Sequence, residues 1–225
     1  IVLDLKQPGA REALLKLVAT ADVFVHNNRP QVMTKLGLDY ADLKKVNARI
    51  IYCGAYGYSK QGPYGAKGAL DDSIQAVSGI AMLNKLVLGE PRYLPTVVAD
   101  KTTAMTVVYA VLAALLHRER TGEGQDIEVP MFETMVHFVM GEHLWGMSFD
   151  PPIGGPGYTR LMSRERRPYP TQDGTSPSCR TSTHTGSLSA TWSIARICSP
   201  TRASRHSRIA CATSMQPIQR PRRSW

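Results

Sequence analysis

Apolar and polar positions along residues 1–146 follow two alternating periods, and each change of period marks a predicted element. The run IVLDL at residues 1–5 is short and apolar, so it predicts a buried strand. Pro8 and Gly9 then turn the chain into a helix with Leu14, Leu15, Leu17 and Val18 on its inner face. ADVFVH at residues 21–26 predicts a second strand, and residues 31–47 predict two short helices separated by Gly37. RIIYCGAY at residues 49–56 predicts a third strand, followed by a loop through Gly57, Gly62, Gly65 and Gly68. The second half of this region is more helical. Residues 71–82 read as one helix, and 102–120 as the best-formed helix, capped by Thr102 or Thr103 and closed at Thr121-Gly122. A short strand at 126–129 and a helix at 132–146 complete the pattern, before a Pro/Gly-rich stretch at 151–156. Strands alternating with helices at this spacing predict an α/β fold with a parallel, Rossmann-like sheet and flanking helices.

Charge divides the chain differently. It has 225 residues, with 27 Lys+Arg, 18 Asp+Glu and a net charge of +9. Residues 1–173 hold 19 basic and all 18 acidic side chains, whereas 174–225 hold eight Arg and no acid. The positive excess therefore belongs to the last quarter and gives the body no basic face for nucleic acid. That last quarter contains eleven Ser and seven Thr but no Lys, Asp, Glu, Asn, Phe, Tyr or Val. Two causes fit: a frameshift near Gly174 in GC-rich coding DNA, or a genuine Arg/Ser-rich disordered extension. Its arginines have only Trp192 and Trp225 as aromatic company, too few to form a stacking platform for single-stranded nucleic acid.

The longest apolar run, residues 104–116, has 13 residues interrupted by Thr106, against about 20 needed for a bilayer, so no membrane span is expected. The chain opens directly on a predicted strand with no initiating Met, so residue 1 is not expected to be a natural N-terminus, and the start lacks the basic-then-apolar pattern of a signal peptide. Cys53 lies in the body, and Cys179, Cys198 and Cys211 in the last quarter, with no C-x-x-C. That usage fits a reducing compartment and predicts no zinc site.

Candidate chemistry is sparse by motif alone. Neither a P-loop nor a nucleophile elbow is present. The histidines are His26, His117, His137, His143, His184 and His206; His137 and His143 are six apart and read as packing or surface residues. Asp71 and Asp72 read as partners of a helix dipole. Asp100 follows an apolar run and precedes the helix predicted at 102–120, where unpaired N–H groups favour an ionised carboxylate. An ordinary N-cap Asp has the same placement, and both readings stay open here. Lys6, Arg29 and Lys35 follow the first two predicted strands, where a parallel sheet places its ligand crevice; contact with phosphates and a plain solvated surface both fit these cations.

Several stretches taken in order resemble one family. They are LDLK at 3–6, ADVFVHNNRPQVMTKLGLDY at 21–40, ARIIYCGAYGYSKQGPY at 48–64, DDSIQAVSG at 71–79, VVADKTTA at 97–104 and ALLHRERTGEGQDIEVPMFE at 114–133. As an ordered set they resemble the class III CoA-transferases (CaiB/BaiF type), which include formyl-CoA transferase, carnitine and bile-acid CoA-transferases and α-methylacyl-CoA racemase.

The resemblance implies an acyl-CoA:carboxylate CoA-transferase working through aspartyl anhydride and aspartyl-CoA thioester intermediates, with Asp100 as the nucleophile. It implies CoA contacts at Leu3, Lys6, Asn27, Asn28, Lys35 and Leu36, with the two lysines toward phosphates. Asn28 stands where the family usually has an aromatic residue, and Lys35 where it often has Arg. Leu70 occupies the place of the racemase's proton-carrying His, which disfavours racemisation as the alternative reaction. No tightly bound cofactor is expected; a CoA thioester and a carboxylic acid are the substrates, in the cytoplasm. The family's homodimer is interlocked. Its first strand is expected before Ile1, and its C-terminal part from about Asp173 is replaced here by the Arg/Ser-rich tail, so an inactive fragment is a further alternative.

Overall fold

The alternation of strands and helices closes into a parallel sheet in the computed structural model, which describes residues 2–164, 166–171 and 174–176. Helix α1 (Pro8–Val18) leads to strand β1 (Val23–His26), then α2 (Pro30–Leu36) and α3 (Tyr40–Val46) lead to β2 (Ile51–Gly54). A long loop, α4 (Asp71–Val77), α5 (Ile80–Leu88) and α6 (Val98–Thr121) precede β3 (Gln125–Glu128), and α7 (Met131–His143) ends in a 3-10 turn at Trp145–Ser148. The strand order is β1-β2-β3, all parallel, with Val23 opposite Ile51 and Ile51 opposite Gln125. β2 is central and buried throughout, which explains why its four residues carry no polar alternation.

Two apolar clusters hold these elements. Val18, Met33, Leu38, Leu43, Ile50 and Tyr52 form one, with Leu14, Leu15, Phe24 and Leu36 packed against it. Ile74, Ile80, Ala99, Met135 and Val139 form the other, tying α4 and α5 to α6 and α7. Leu17, expected on the inner face of α1, is instead exposed, because the buried stripe runs through Leu14, Leu15 and Val18.

The structure corrects several expected boundaries. Residues 2–4 form no strand: Val2 is 99% exposed and meets no ladder partner among the described residues. The single helix expected at 71–82 is two helices, because Gly79 adopts φ +97° and redirects the backbone between α4 and α5. The strand expected at 49–56 shortens to β2, and the helix at 132–146 to α7. Most consequential, α6 begins at Val98 rather than near Thr102, so Asp100 lies inside its first turn and is not its N-cap.

With 24 residues, α6 is by length and composition long and apolar enough to cross a membrane, contrary to the estimate from the shorter apolar run. Most of that apolar window is partly or fully exposed rather than packed in the core. Ala99, Thr103, Ala114 and Arg118 are buried, and Arg118 donates to the carbonyl oxygens of Asp22 and Arg49, stitching α6 to the sheet.

The chain divides into two compact units, residues 1–166 and 167–225. In the second, β4 (Tyr169–Thr171) pairs antiparallel with β5 (Gly174–Ser176). The rest of the Arg/Ser-rich stretch, with Cys179, Cys198, Cys211, His184, His206, Trp192 and Trp225, lies outside the described residues.

Candidate active site

Strand ends in a parallel sheet lead into loops on one side, and a cavity of about 680 Å³ opens there. Asn27, Asn28 and Arg29, just after β1, form one wall, and Asp71 and Asp100 form part of another. Ala55 to Gly57 follow β2 into the same space, and Leu70, Thr103 and Met131 complete the surround. Three residues expected in the site, Asn27, Asn28 and Asp100, are thus brought together although they come from separate parts of the chain.

The other four lie elsewhere. Lys6 is exposed in the turn before α1, where its N–H donates to Asp4 Oδ1 at 3.1 Å. Leu3 is half-buried in the segment ahead of that turn. Lys35 is exposed on α2, and Leu36 packs against the first apolar cluster. None of the four lines the cavity. The cation that does is Arg29, whose Nη1 donates to the carbonyl oxygen of Ala66 at 3.3 Å and joins the glycine-rich loop to the β1 end.

That loop is pinned by carboxylates. Glu133 accepts from the Ser59 N–H at 3.1 Å, Glu128 accepts from the Lys60 N–H at 2.6 Å, and the Lys60 ammonium meets Asp126 at 2.9 Å. The Tyr56 hydroxyl donates to Glu128 at 2.9 Å; burial, followed by this bond and charge, pushes its pKa far above the ordinary phenol range. Tyr56 is therefore a neutral wall of the cavity rather than a proton carrier. Cys53, buried in β2, has its thiol pushed up to about 11, chiefly by burial, and is no nucleophile.

Asp100 is different in kind. Its side chain is exposed to the cavity from the first turn of α6. Desolvation first, and the negative charge of Asp71 second, raise its pKa above the ordinary carboxyl value. The helix start opposes both effects by favouring an anion. Asp71 itself is buried: its Oδ1 accepts from the Asp100 N–H at 3.0 Å and its Oδ2 accepts from Gln75 Nε2 at 2.6 Å. A dipole role alone does not describe Asp71. It spans 29 positions to the candidate nucleophile, and no local spacing signals such a contact.

A second, smaller cavity of about 310 Å³ lies beyond α2 and is lined by His26, Met33, Tyr40, Tyr52, Lys60 and Asp126 among others. Both His26 ring nitrogens are buried, and burial, opposed by the Asn28 backbone and the charge of Asp126, lowers its pKa from 6.5. None of the expected site residues lines it. Of the other histidines, His137 is exposed on α7, and His143 is buried with Nδ1 accepting from the Tyr158 N–H at 3.3 Å.

Comparison with known proteins decides the ancestry. The family model for CoA-transferase family III matches residues 1–188. The chain belongs to CoA-transferase family III. The match runs past Asp173 into the Arg/Ser-rich stretch. Acetyl-CoA:oxalate CoA-transferase of Acetobacter aceti is 39% identical over 140 residues, covering 62% of this chain and 36% of that protein. Succinate–glutarate CoA-transferase of Agrobacterium fabrum is 34% identical over 154 residues, covering 68% and 38%. Among solved structures, a CAIB/BAIF family protein from Brucella suis superposes with a TM-score of 0.67 at 30% identity, over 78% of this chain and 46% of that one. The chain therefore spans less than two fifths of the length of these two curated relatives, and the mixed helix and parallel-sheet fold is that of its structural neighbour.

Proposed function

We propose that this chain carries the nucleophile-bearing part of an acyl-CoA:carboxylate CoA-transferase site, with Asp100 as the attacking group. The observation that carries the reading is the placement of Asp100 in one cavity with Asn27, Asn28 and Arg29. An Asp100 Oδ attacks the thioester carbonyl, the C–S bond breaks, and CoA leaves as the thiolate. The thiolate then attacks the Asp100 carbonyl of the mixed anhydride, releasing the donor carboxylate and leaving an aspartyl-CoA thioester. An acceptor carboxylate attacks that thioester, and the returning thiolate takes the new acyl group. Each step exchanges acyl bonds of similar energy, so covalent catalysis splits one hard transfer into easier ones. Arg29 and the two asparagine amides supply donors for the anionic and amide parts of CoA. The lysines expected to meet the phosphates, Lys6 and Lys35, stand outside the cavity, so Arg29 is the better candidate in this unit.

Leu70 favours transfer over racemisation. It is 80% exposed beside Asp71 and lines the cavity, and an aliphatic side chain moves no proton. We further propose a cytoplasmic protein that self-associates. Met105, Val108, Tyr109, Leu112 and Leu116 form an exposed apolar stripe on α6 at helical spacing, which a second subunit would cover.

The test is direct trapping. The chain is incubated with succinyl-CoA, quenched with hydroxylamine and mapped by peptide mass spectrometry. A hydroxamate at Asp100, lost in Asp100→Asn, is expected; modification confined to another carboxylate would reject Asp100 as the nucleophile.

A further inference from the structure

Helix α6 starts without a side-chain cap of its own, because its N-cap residue is Val97. Asp100 occupies the third helical position, where the backbone N–H has no partner inside the helix. Asp71, from α4, fills that gap by accepting from the Asp100 N–H at 3.0 Å. Gln75, one turn along α4 and fully buried, braces the arrangement. Its Nε2 donates to Asp71 Oδ2 at 2.6 Å and to the Thr96 carbonyl oxygen at 3.3 Å, while its Oε1 accepts from the Leu94 N–H at 2.9 Å. One buried amide thus ties the segment entering α6 to the carboxylate that caps it. A fully satisfied buried network of this kind holds one geometry.

We infer that Asp71, braced by Gln75, is a positioning residue for Asp100: it fixes the backbone bearing the nucleophile, and its charge favours Asp100 bonded to an acyl group over Asp100 as a free carboxylate. The inference rests on the reading of Asp100 as the nucleophile. When an Asp100 oxygen bonds to the acyl carbon, the C–S bond breaks and the electron pair departs on sulfur. The negative charge leaves Asp100 with it, and its repulsion with Asp71 ends. A like-charge neighbour therefore raises the free energy of the resting carboxylate and not that of the neutral anhydride or thioester.

Among the described residues no cation forms an ion pair with the Asp100 carboxylate, and the charge that bears on it is that of Asp71. Arg29 is engaged with the Ala66 carbonyl oxygen, and Lys101 donates to Thr96 Oγ1 at 2.7 Å. Tyr56 donates to Glu128, Glu133 accepts from Ser59, and α7 presents only Met131 to the cavity. Asp71 remains the carboxylate that shares a hydrogen bond with the Asp100 backbone.

The experiment is carbon-detected NMR titration of the side-chain carboxyls in the full chain, unmutated and Asp71→Asn. In the unmutated chain the Asp100 midpoint should lie above the ordinary carboxyl value. In Asp71→Asn, which keeps an oxygen acceptor but no charge, the Asp100 midpoint should fall. An Asp100 midpoint at or below the ordinary carboxyl value in the unmutated chain overturns the inference, even if the variant does not fold. Amide exchange adds a geometric readout: Asp71→Ala should speed exchange at Asp100 about tenfold, the scale of a lost helix cap, with Asp71→Asn slower than Asp71→Ala. Hydroxylamine trapping after succinyl-CoA then separates the two readings. The adduct at Asp100 should drop roughly threefold or more in Asp71→Asn, as coupled neighbours commonly show. An undiminished adduct overturns the role of Asp71 alone, whereas a raised Asp100 midpoint with no adduct in the unmutated chain overturns the transferase reading and the catalytic half of this inference with it.

Discussion

Gly124 and Gly141 are indistinguishable as letters and opposite in consequence. A Cβ on Gly124 would stand 2.3 Å from the Ile50 carbonyl oxygen, 2.7 Å from the Arg49 carbonyl carbon and 2.9 Å from the Ile50 nitrogen. All three are backbone atoms at the entry to β2, so no side chain can swing aside; β3 must move away from the central strand. Overpacking of this kind costs about 3 kcal/mol. At roughly 2–4 °C per kcal/mol for a chain of this size, Gly124→Ala should lower Tm by about 6–12 °C. A Cβ on Gly141, exposed in α7, would meet nothing within 4 Å. Gly141→Ala should therefore gain about 0.5–1 kcal/mol of helix propensity and raise Tm by a few degrees. Thermal unfolding by circular dichroism, with urea midpoints as a check, reads both. The displacement should also reach the candidate site, because β3 carries Glu128, which holds Tyr56 and the Lys60 backbone. If both variants shift Tm in the same direction, or Gly124→Ala leaves it unchanged, the close approach of β3 to β2 is wrong.

Three further outcomes are expected. His26 has a folded pKa below its ordinary 6.5, so the unfolded chain takes up a proton that the fold refuses. Stability should therefore fall as pH drops through 6.5 toward the lower folded value, and His26→Gln should flatten that dependence in urea titrations between those limits. Arg118 is buried but its partner Asp22 is 77% exposed, so Arg118→Met strands no buried charge and loses chiefly the bonds to the Asp22 and Arg49 carbonyls. Its cost should be about 1.5–3 kcal/mol by urea unfolding; a neutral result would show that the guanidinium does not clamp α6 to the sheet. Leu112→Glu should lower the mass seen by sedimentation velocity if the α6 stripe is a subunit contact, and an unchanged monomer in both forms rules that contact out.

The elements that rest on local chemistry were legible along the chain. Short apolar runs mark β1 and β2, Gly37 at φ +63° separates α2 from α3, and Gly122 at φ +80° closes α6. The family motifs likewise mark Asn27, Asn28 and Asp100, which share one cavity. Errors fell where a distant group replaced a local one. Thr102, Thr103 and Asp100 all offer capping side chains near the start of α6, whereas the acceptor that meets the Asp100 N–H comes from Asp71 on another helix. Gln75 gave no signal at all, since an amide inside a helical repeat looks like a solvent-facing position until its partners are seen to be Asp71, Thr96 and Leu94. Lys6 and Lys35 look equivalent to Arg29 in the sequence, yet only Arg29 lines the cavity, because the backbone after β1 turns toward it and α2 presents Lys35 elsewhere.

The sequence by itself determined the alternating elements, the parallel sheet and the family, because each follows from periodicities and motifs carried by neighbouring residues. Only the tertiary structure decided which carboxylate stands beside Asp100 and which cation lines the same cavity. Those relations depend on contacts between segments tens of residues apart, where burial and hydrogen-bond geometry act through space and leave no spacing in the chain.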